Sequence, residues 1–169
     1  MSEVVHSQNG PGGTLAFRPA KAADLKDVVI LKLKMFEDAG FSKRLAANVE
    51  SLVYSHYQGL YADNLAIHFL AVADRQIVAM AGAFIKSDIP YCFFRNPHYG
   101  FIGDVYTRQE WRGKGLARRL SQEAIQWLRT QGMGEVHLLA SEHGRPLYQS
   151  LGFVPSDEMV LRFDLLRDT

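Results

Sequence analysis

The sequence predicts an α/β domain in which a mixed, mainly antiparallel sheet is flanked by helices. Three observations carry this. Short apolar stretches follow one another across compact turns in the middle of the chain, which favours antiparallel neighbours. Between residues 99 and 140 a strand-like stretch, an amphipathic helix and a second strand-like stretch succeed one another, the pattern of a parallel crossover. The length of 169 residues fits one core, with 47% hydrophobic and 22% charged residues in ordinary globular proportion.

The elements can be taken in order. Residues 1–13 are polar and carry Gly10, Gly12 and Gly13, so they read as a flexible arm, with a single domain over 14–169. Leu15 and Phe17 alternate in a first strand over 14–18, which Pro19 breaks. Asp24 is placed to cap a helix in which Leu25, Val28, Val29, Leu33 and Phe36 recur at helical spacing until Gly40. Ser42 is expected to cap a second helix carrying Leu45, Val49, Leu52, Val53 and Leu60. Two strands over 67–73 and 76–85 flank Asp74-Arg75, which reads as a hairpin turn. An aromatic-rich loop over 87–98 leads to a strand over 99–107. The next helix is the clearest element: Leu116, Leu120, Ala124, Trp127 and Leu128 share one face, and Arg118, Arg119, Gln122, Glu123 and Arg129 the other. After Gly132 and Gly134 come a strand over 136–140, a short helix over 146–151 stopped by Gly152, and a last strand over 159–165.

Composition narrows the function classes. Lys and Arg total 19 against 18 acids, so a broad basic face for nucleic acid is not expected. Cys92 is the single cysteine, which rules out an intramolecular disulfide and a zinc site built on several sulfurs; no metal is expected. The first residues lack the apolar stretch of a signal peptide, and no run is long enough to cross a membrane. The expected location is a reducing cytoplasm.

The most informative segment begins at Gly103 and runs through Arg108, Glu110, Arg112, Gly113, Lys114 and Gly115 into the clear helix. A helix start leaves backbone N–H groups unpaired, and the aligned peptide dipoles place partial positive charge there. Phosphate oxygens suit such an end, and glycines let them approach the backbone. Arg108, Arg112, Lys114, Arg118 and Arg119 against Glu110 give a local balance of +4 in a chain of net charge +1. Two nucleotide motifs fail here. The dinucleotide fingerprint would need a small residue where Arg118 stands, and a P-loop lysine is followed by Ser or Thr, whereas Lys114 is followed by Gly115. By itself the loop also admits a plain packing role for its glycines.

Arg112-Gly113-Lys114-Gly115-Leu116-Ala117 resembles the Q/R-x-x-G-x-G/A motif of the GNAT (Gcn5-related) N-acetyltransferases. Val105-Tyr106-Thr107 is similar to the strand that precedes the motif in that family. Arg145-Pro146-Leu147-Tyr148-Gln149-Ser150-Leu151-Gly152-Phe153 is similar to its C-terminal short helix with a tyrosine followed by Gly-Phe. The element order agrees over about residues 14–165.

The resemblance implies a GNAT-like fold and an acetyl-CoA site. Arg112, Gly113, Lys114, Gly115, Leu116, Ala117 and Arg118 would hold the pyrophosphate, chiefly by backbone amides. Val105, Tyr106 and Thr107 would lie along the pantetheine arm and the acetyl carbonyl, and Ser141 stands where the family often has Asn in contact with pantetheine. Tyr148 matches the tyrosine that assists the leaving thiolate. With a tyrosine pKa near 10 and a thiol near 8.5, a hydrogen bond during C–S cleavage is favoured over prior proton transfer.

An amine must be neutral to attack, and an alkyl ammonium of pKa about 10.4 is mostly charged at neutral pH. A carboxylate, directly or through water, is the usual remedy. Asp104 is the first choice because it adjoins Val105, with Glu110 the second, and both also read as plain turn or strand-end acids. His143 is a weaker candidate base. Cys92 and His137 read as structural, and Phe93, Phe94, Tyr99 and Phe101 read equally as sheet core or as acceptor-pocket lining. Asp88 and Arg95 are read as solvated loop charges.

The expected activity is transfer of acetyl from acetyl-CoA to a small amine by direct attack in a ternary complex. Acetylation of a protein N-terminus or lysine, and a non-catalytic acyl-CoA sensor, stay open. By analogy with the family, a homodimer is expected.

Overall fold

The computed structural model describes residues 6–10, 13–89 and 97–161. The expectations for Cys92, Phe93, Phe94 and Arg95 lie outside them. Contacts divide the chain into two compact units, one up to Leu139 and one from Ala140.

In the first unit six strands form one sheet in sequence order: β1 (His6–Gly10), β2 (Gly13–Pro19), β3 (Ala66–Ala73), β4 (Gln76–Ser87), β5 (His98–Thr107) and β6 (Val136–Leu138). The first four junctions are antiparallel and the last, β5 to β6, is parallel, so the sheet is mixed and mainly antiparallel as the sequence predicts. The β3–β4 turn is made by Asp74 and Arg75, both at positive φ (48° and 64°), the twist that suits a two-residue hairpin. One expectation is corrected at the start of the chain. Residues 6–10, read as part of a flexible arm, pair antiparallel with β2 from His6↔Phe17 to Gly10↔Gly13. Their polar sequence carries no strand pattern; the open edge of β2 supplies the partner.

Three helices belong to this unit: α1 (Leu25–Asp38), α2 (Val49–Ala62) and α3 (Leu116–Thr130). Asp24 serves the start of α1 through the short 3-10 turn before it. Its carboxylate accepts the Lys21 N–H at 2.7 Å and pairs with Arg18 at 2.7 Å. Ser42 caps no α-helix. It opens a 3-10 turn over Ser42–Arg44, and α2 begins only at Val49, because Leu45 returns to extended backbone.

Two apolar layers sandwich the sheet. On one face Leu25, Val28, Val29 and Leu31 of α1 and Tyr57 of α2 pack on Leu70, Met80 and Tyr106. On the other, Leu116 and Leu120 of α3 pack on Phe17, Ala71, Ala79 and Ala81. The small residues of β3 and β4 let α3 lie close to the sheet.

The second unit holds α4 (Arg145–Ser150), with Pro146 in its first turn and Gly152 (φ 93°) after it. The strand expected over 159–165 is not found where it can be described: residues 159–161 have no regular structure and are exposed, and the remainder lies outside the described residues.

Candidate functional site

The turn into α3 has the backbone that its sequence anticipates. Gly113 and Gly115 lie at φ 77° and 74°, in the left-handed region that costs other residues about 1 kcal/mol, and Gly115 is the N-cap of α3. A Cβ at either would meet nothing within 4 Å, so conformation rather than crowding calls for glycine, and the space beside both is open. Among the described residues, the backbone N–H groups of Gly113, Lys114, Gly115, Leu116 and Ala117 find no acceptor; the first α3 bond of this kind is Arg119 N–H to Gly115 O, at 3.1 Å. Five adjacent donors at a helix start form a ready anion cradle.

The basic side chains around the turn are largely committed to the protein. Arg108 Nε donates to the Ile77 carbonyl at 2.9 Å. Arg112 donates to the Thr107 carbonyl at 3.1 Å and to the Asp38 carboxylate at 2.8 Å, which also accepts the Tyr106 hydroxyl at 3.0 Å. Lys114 lies over the Trp111 ring and Arg119 over Phe17. The side chains hold the turn in place, and the amides are what it offers to solvent.

β5 leads to this turn and leaves one edge open. Its pairing with β6 ends at Ile102↔Leu138, and among the described residues nothing pairs the outer side of β5 from Gly103 onward. Arg108 N–H bonds to Val78 O on β4, so by strand alternation Tyr106 also faces β4, while Thr107 and Val105 present their backbone groups to the open side. Among the described residues the buried Thr107 hydroxyl finds no hydrogen-bond partner.

A bulge lies in the middle of this edge. Gly82 pairs with Gly103 and Met80 with Tyr106, so two residues of β5 oppose one of β4. Asp104 takes the strain at φ 53°. Its side chain falls on the same face as the α-position of Gly103, toward Phe84 and Tyr57, and Val105 falls on the α3 face.

Asp104 is buried and its carboxylate is saturated with donors. Lys32 of α1 donates to Oδ1, Tyr57 of α2 donates to Oδ2, and His68 Nε2 of β3 lies 3.0 Å from Oδ2. Burial by itself would push this carboxyl up, but the His68 hydrogen bond and the Lys32 charge outweigh it and hold the group well below the usual carboxylate range. Burial also pushes the Tyr57 hydroxyl far up, with the Asp104 charge adding to it, so Tyr57 remains a neutral donor. His68 is fully buried; the Tyr61 hydroxyl accepts its backbone N–H at 3.0 Å and meets its Nδ1 at 2.9 Å. This is the environment of a retained anion, not of a group that takes up a proton near neutral pH. Sequence reasoning missed Lys32, Tyr57 and His68 as parts of the site. Glu110, the second carboxylate considered, is exposed in the 3-10 turn Gln109–Trp111.

In the second unit Tyr148 lies on α4, edge-on to Phe153 at 6.0 Å between ring centroids. Burial raises its hydroxyl pKa, so it is a neutral donor at physiological pH. Ser141 Oγ accepts the Gly144 N–H at 3.1 Å in the turn before α4, and His143 is exposed.

Among the described residues, then, a glycine turn of unbonded amides opens α3 and is preceded by a bulged strand whose outer edge is unpaired. The profile of the acetyltransferase (GNAT) family matches residues 33–153, and the chain belongs to that family. Solved structures agree in fold. A predicted acetyltransferase from Clostridium acetobutylicum, determined with acetyl-CoA, superposes with a TM-score of 0.81 at 23% identity, covering 92% of this chain and 99% of that one. A GCN5-related N-acetyltransferase from Ralstonia eutropha gives 0.78 at 24% identity, covering 88% and 98%. Glucosamine-6-phosphate N-acetyltransferase from Arabidopsis thaliana gives 0.68 at 17% identity, covering 89% and 98%. The comparison with curated protein sequences returned no match.

Proposed function

We propose that the chain is an acetyl-CoA-dependent N-acetyltransferase that delivers acetyl to the amine of a small molecule, by direct attack within a ternary complex. The observation that carries this reading is the row of amides at residues 113–117 that, among the described residues, find no acceptor, a few residues beyond the edge of β5 that is likewise unpaired. Phosphate oxygens would satisfy those donors, with Arg112, Lys114 and Arg118 adding to the positive field. The Val105 and Thr107 backbone groups would then align the pantetheine arm, and a Val105 N–H facing the thioester carbonyl would stabilise the oxyanion as the amine adds.

Tyr148 is assigned to the leaving group on the family resemblance and its neutral, half-buried hydroxyl. It donates a hydrogen bond to sulfur as the C–S bond breaks. Asp104 is retained in the machinery as a fixed anion within the strand that would hold the thioester. An acceptor amine arrives as ammonium and must shed its proton to a base, directly or through water, before it can attack. The small-molecule acceptor is supported by the Arabidopsis structure, an N-acetyltransferase of glucosamine 6-phosphate on the same fold.

The test is release of CoA thiol from acetyl-CoA across a panel of amino sugars, polyamines, amino acids and peptides with free N-termini or lysines. Saturable release with a small amine is expected. Release with peptides alone would move the acceptor to protein, and tight acetyl-CoA binding without release from any amine would make the chain a sensor.

A further inference from the structure

The Asp104 cluster joins four elements around one backbone strain. Asp104 holds a left-handed conformation rare outside glycine, and it does so at the bulge that redirects β5. Its two oxygens are divided among three donors: Lys32 from α1 on Oδ1, Tyr57 from α2 and His68 from β3 on Oδ2. The ring of His68 is held in turn. Tyr61 meets its Nδ1 and accepts its backbone N–H, and Phe84 stands edge-on to it at 5.5 Å between centroids. Room for the ring comes from Gly82, where a Cβ would lie 2.9 Å from His68 Nε2. None of these side chains belongs to the CoA cradle, yet all converge on the residue before Val105.

We propose that Lys32, Tyr57 and His68 are positioning residues for acyl transfer: by gripping the Asp104 carboxylate they lock the bulge and so fix the direction in which Val105 presents its N–H at the open edge of β5. The inference rests on the reading above that this edge receives the thioester. It separates two functions along one strand. The turn at 113–117 sets affinity for CoA, and the buried cluster sets the alignment of the carbonyl. Loss of a donor frees the carboxylate, the backbone at Asp104 relaxes, and the Val105 amide leaves its aim.

The test uses His68→Leu, His68→Gln and Tyr57→Phe in the full chain. His68→Gln keeps an N–H donor for Asp104; Tyr57→Phe removes a single oxygen and covers the case in which His68→Leu does not fold. Expected for His68→Leu and Tyr57→Phe is a fall in kcat of at least ten-fold with CoA Kd changed less than three-fold, and recovery of most of kcat in His68→Gln. A second readout does not depend on turnover. In amide NMR, acetyl-CoA should shift both the Val105 and Gly115 resonances of the wild type, but in His68→Leu or Tyr57→Phe only Gly115. Val105 responding equally in wild type and variants, or kcat unchanged within two-fold, overturns the positioning role. Should the wild type turn over no amine while Val105 responds only in the presence of the intact cluster, the positioning role stands and the N-acetylation reading falls.

Discussion

Two stretches only a few residues apart handle polar groups in opposite ways. At 113–117 five backbone donors find no acceptor among the described residues, in a turn shaped by two glycines at positive φ. At Asp104 one buried carboxylate receives three donors from three elements. Unsatisfied polar groups are tolerated where water or a ligand can reach them, and buried ones must be paired. The contrast therefore separates what the protein leaves for a ligand from what it keeps for itself. Arg108 and Arg112 stand between the two, since the sequence groups them with the ligand-facing turn while their side chains bond to Ile77, Thr107 and Asp38.

The largest effect should come from closing the open region. Gly115→Glu puts a strained residue and a negative charge at the helix start, and CoA affinity should fall at least a hundred-fold by calorimetry while the far-UV spectrum is retained. Retained affinity would mean that the anion sits elsewhere. Next, Tyr148→Phe should lower kcat at least ten-fold with little change in KM for acetyl-CoA, since the hydroxyl is assigned only to departure of the thiolate. An unchanged kcat would remove Tyr148 from the mechanism.

The buried region gives a pH signature. Asp104 has its pKa depressed in the folded state, so its stabilising contribution is present above the ordinary aspartate value of about 3.9 and is lost as pH falls through the folded value. Wild-type Tm should drop more steeply below about pH 4 than that of Asp104→Asn; equal slopes would show that the cluster is not ionic. The smallest effect is expected for Lys114→Ala, whose side chain rests on Trp111. CoA affinity should change less than about three-fold, whereas a large loss would return the dominant role from amides to side chains.

The legible parts were those written in local sequence. The period of α3, the Asp74-Arg75 hairpin and the 113–115 glycines each state their conformation within a few residues. Ser42 misled because a good capping residue is not followed by a chain that stays helical; Leu45 is extended. Strand β1 was hidden because Ser7, Gln8 and Asn9 have no apolar alternation and depend on a partner edge. The Asp104 cluster was illegible for a different reason. Its partners lie 72, 47 and 36 residues away, and a lysine, a tyrosine and a histidine on separate elements show no shared pattern until the fold assembles them. The bulge had only Gly103-Asp104 as its trace, and strand alternation placed Asp104 with no means of choosing its face.

The added residue in β5 has a consequence for the whole strand. Ahead of it, Gly100 and Ile102 belong to the layer under α3, as the closeness of Gly100 to Leu128 indicates; behind it, Val105 takes over that layer and Tyr106 joins the opposite one. The strand thus changes phase once along its length, like a zip fastened with one tooth skipped. Removing the single residue at 104 would fasten the skipped tooth: Val105 would oppose Ala81, Val105 and Tyr106 would keep their layers by plain alternation, and what would be lost is the kink and the carboxylate it buries.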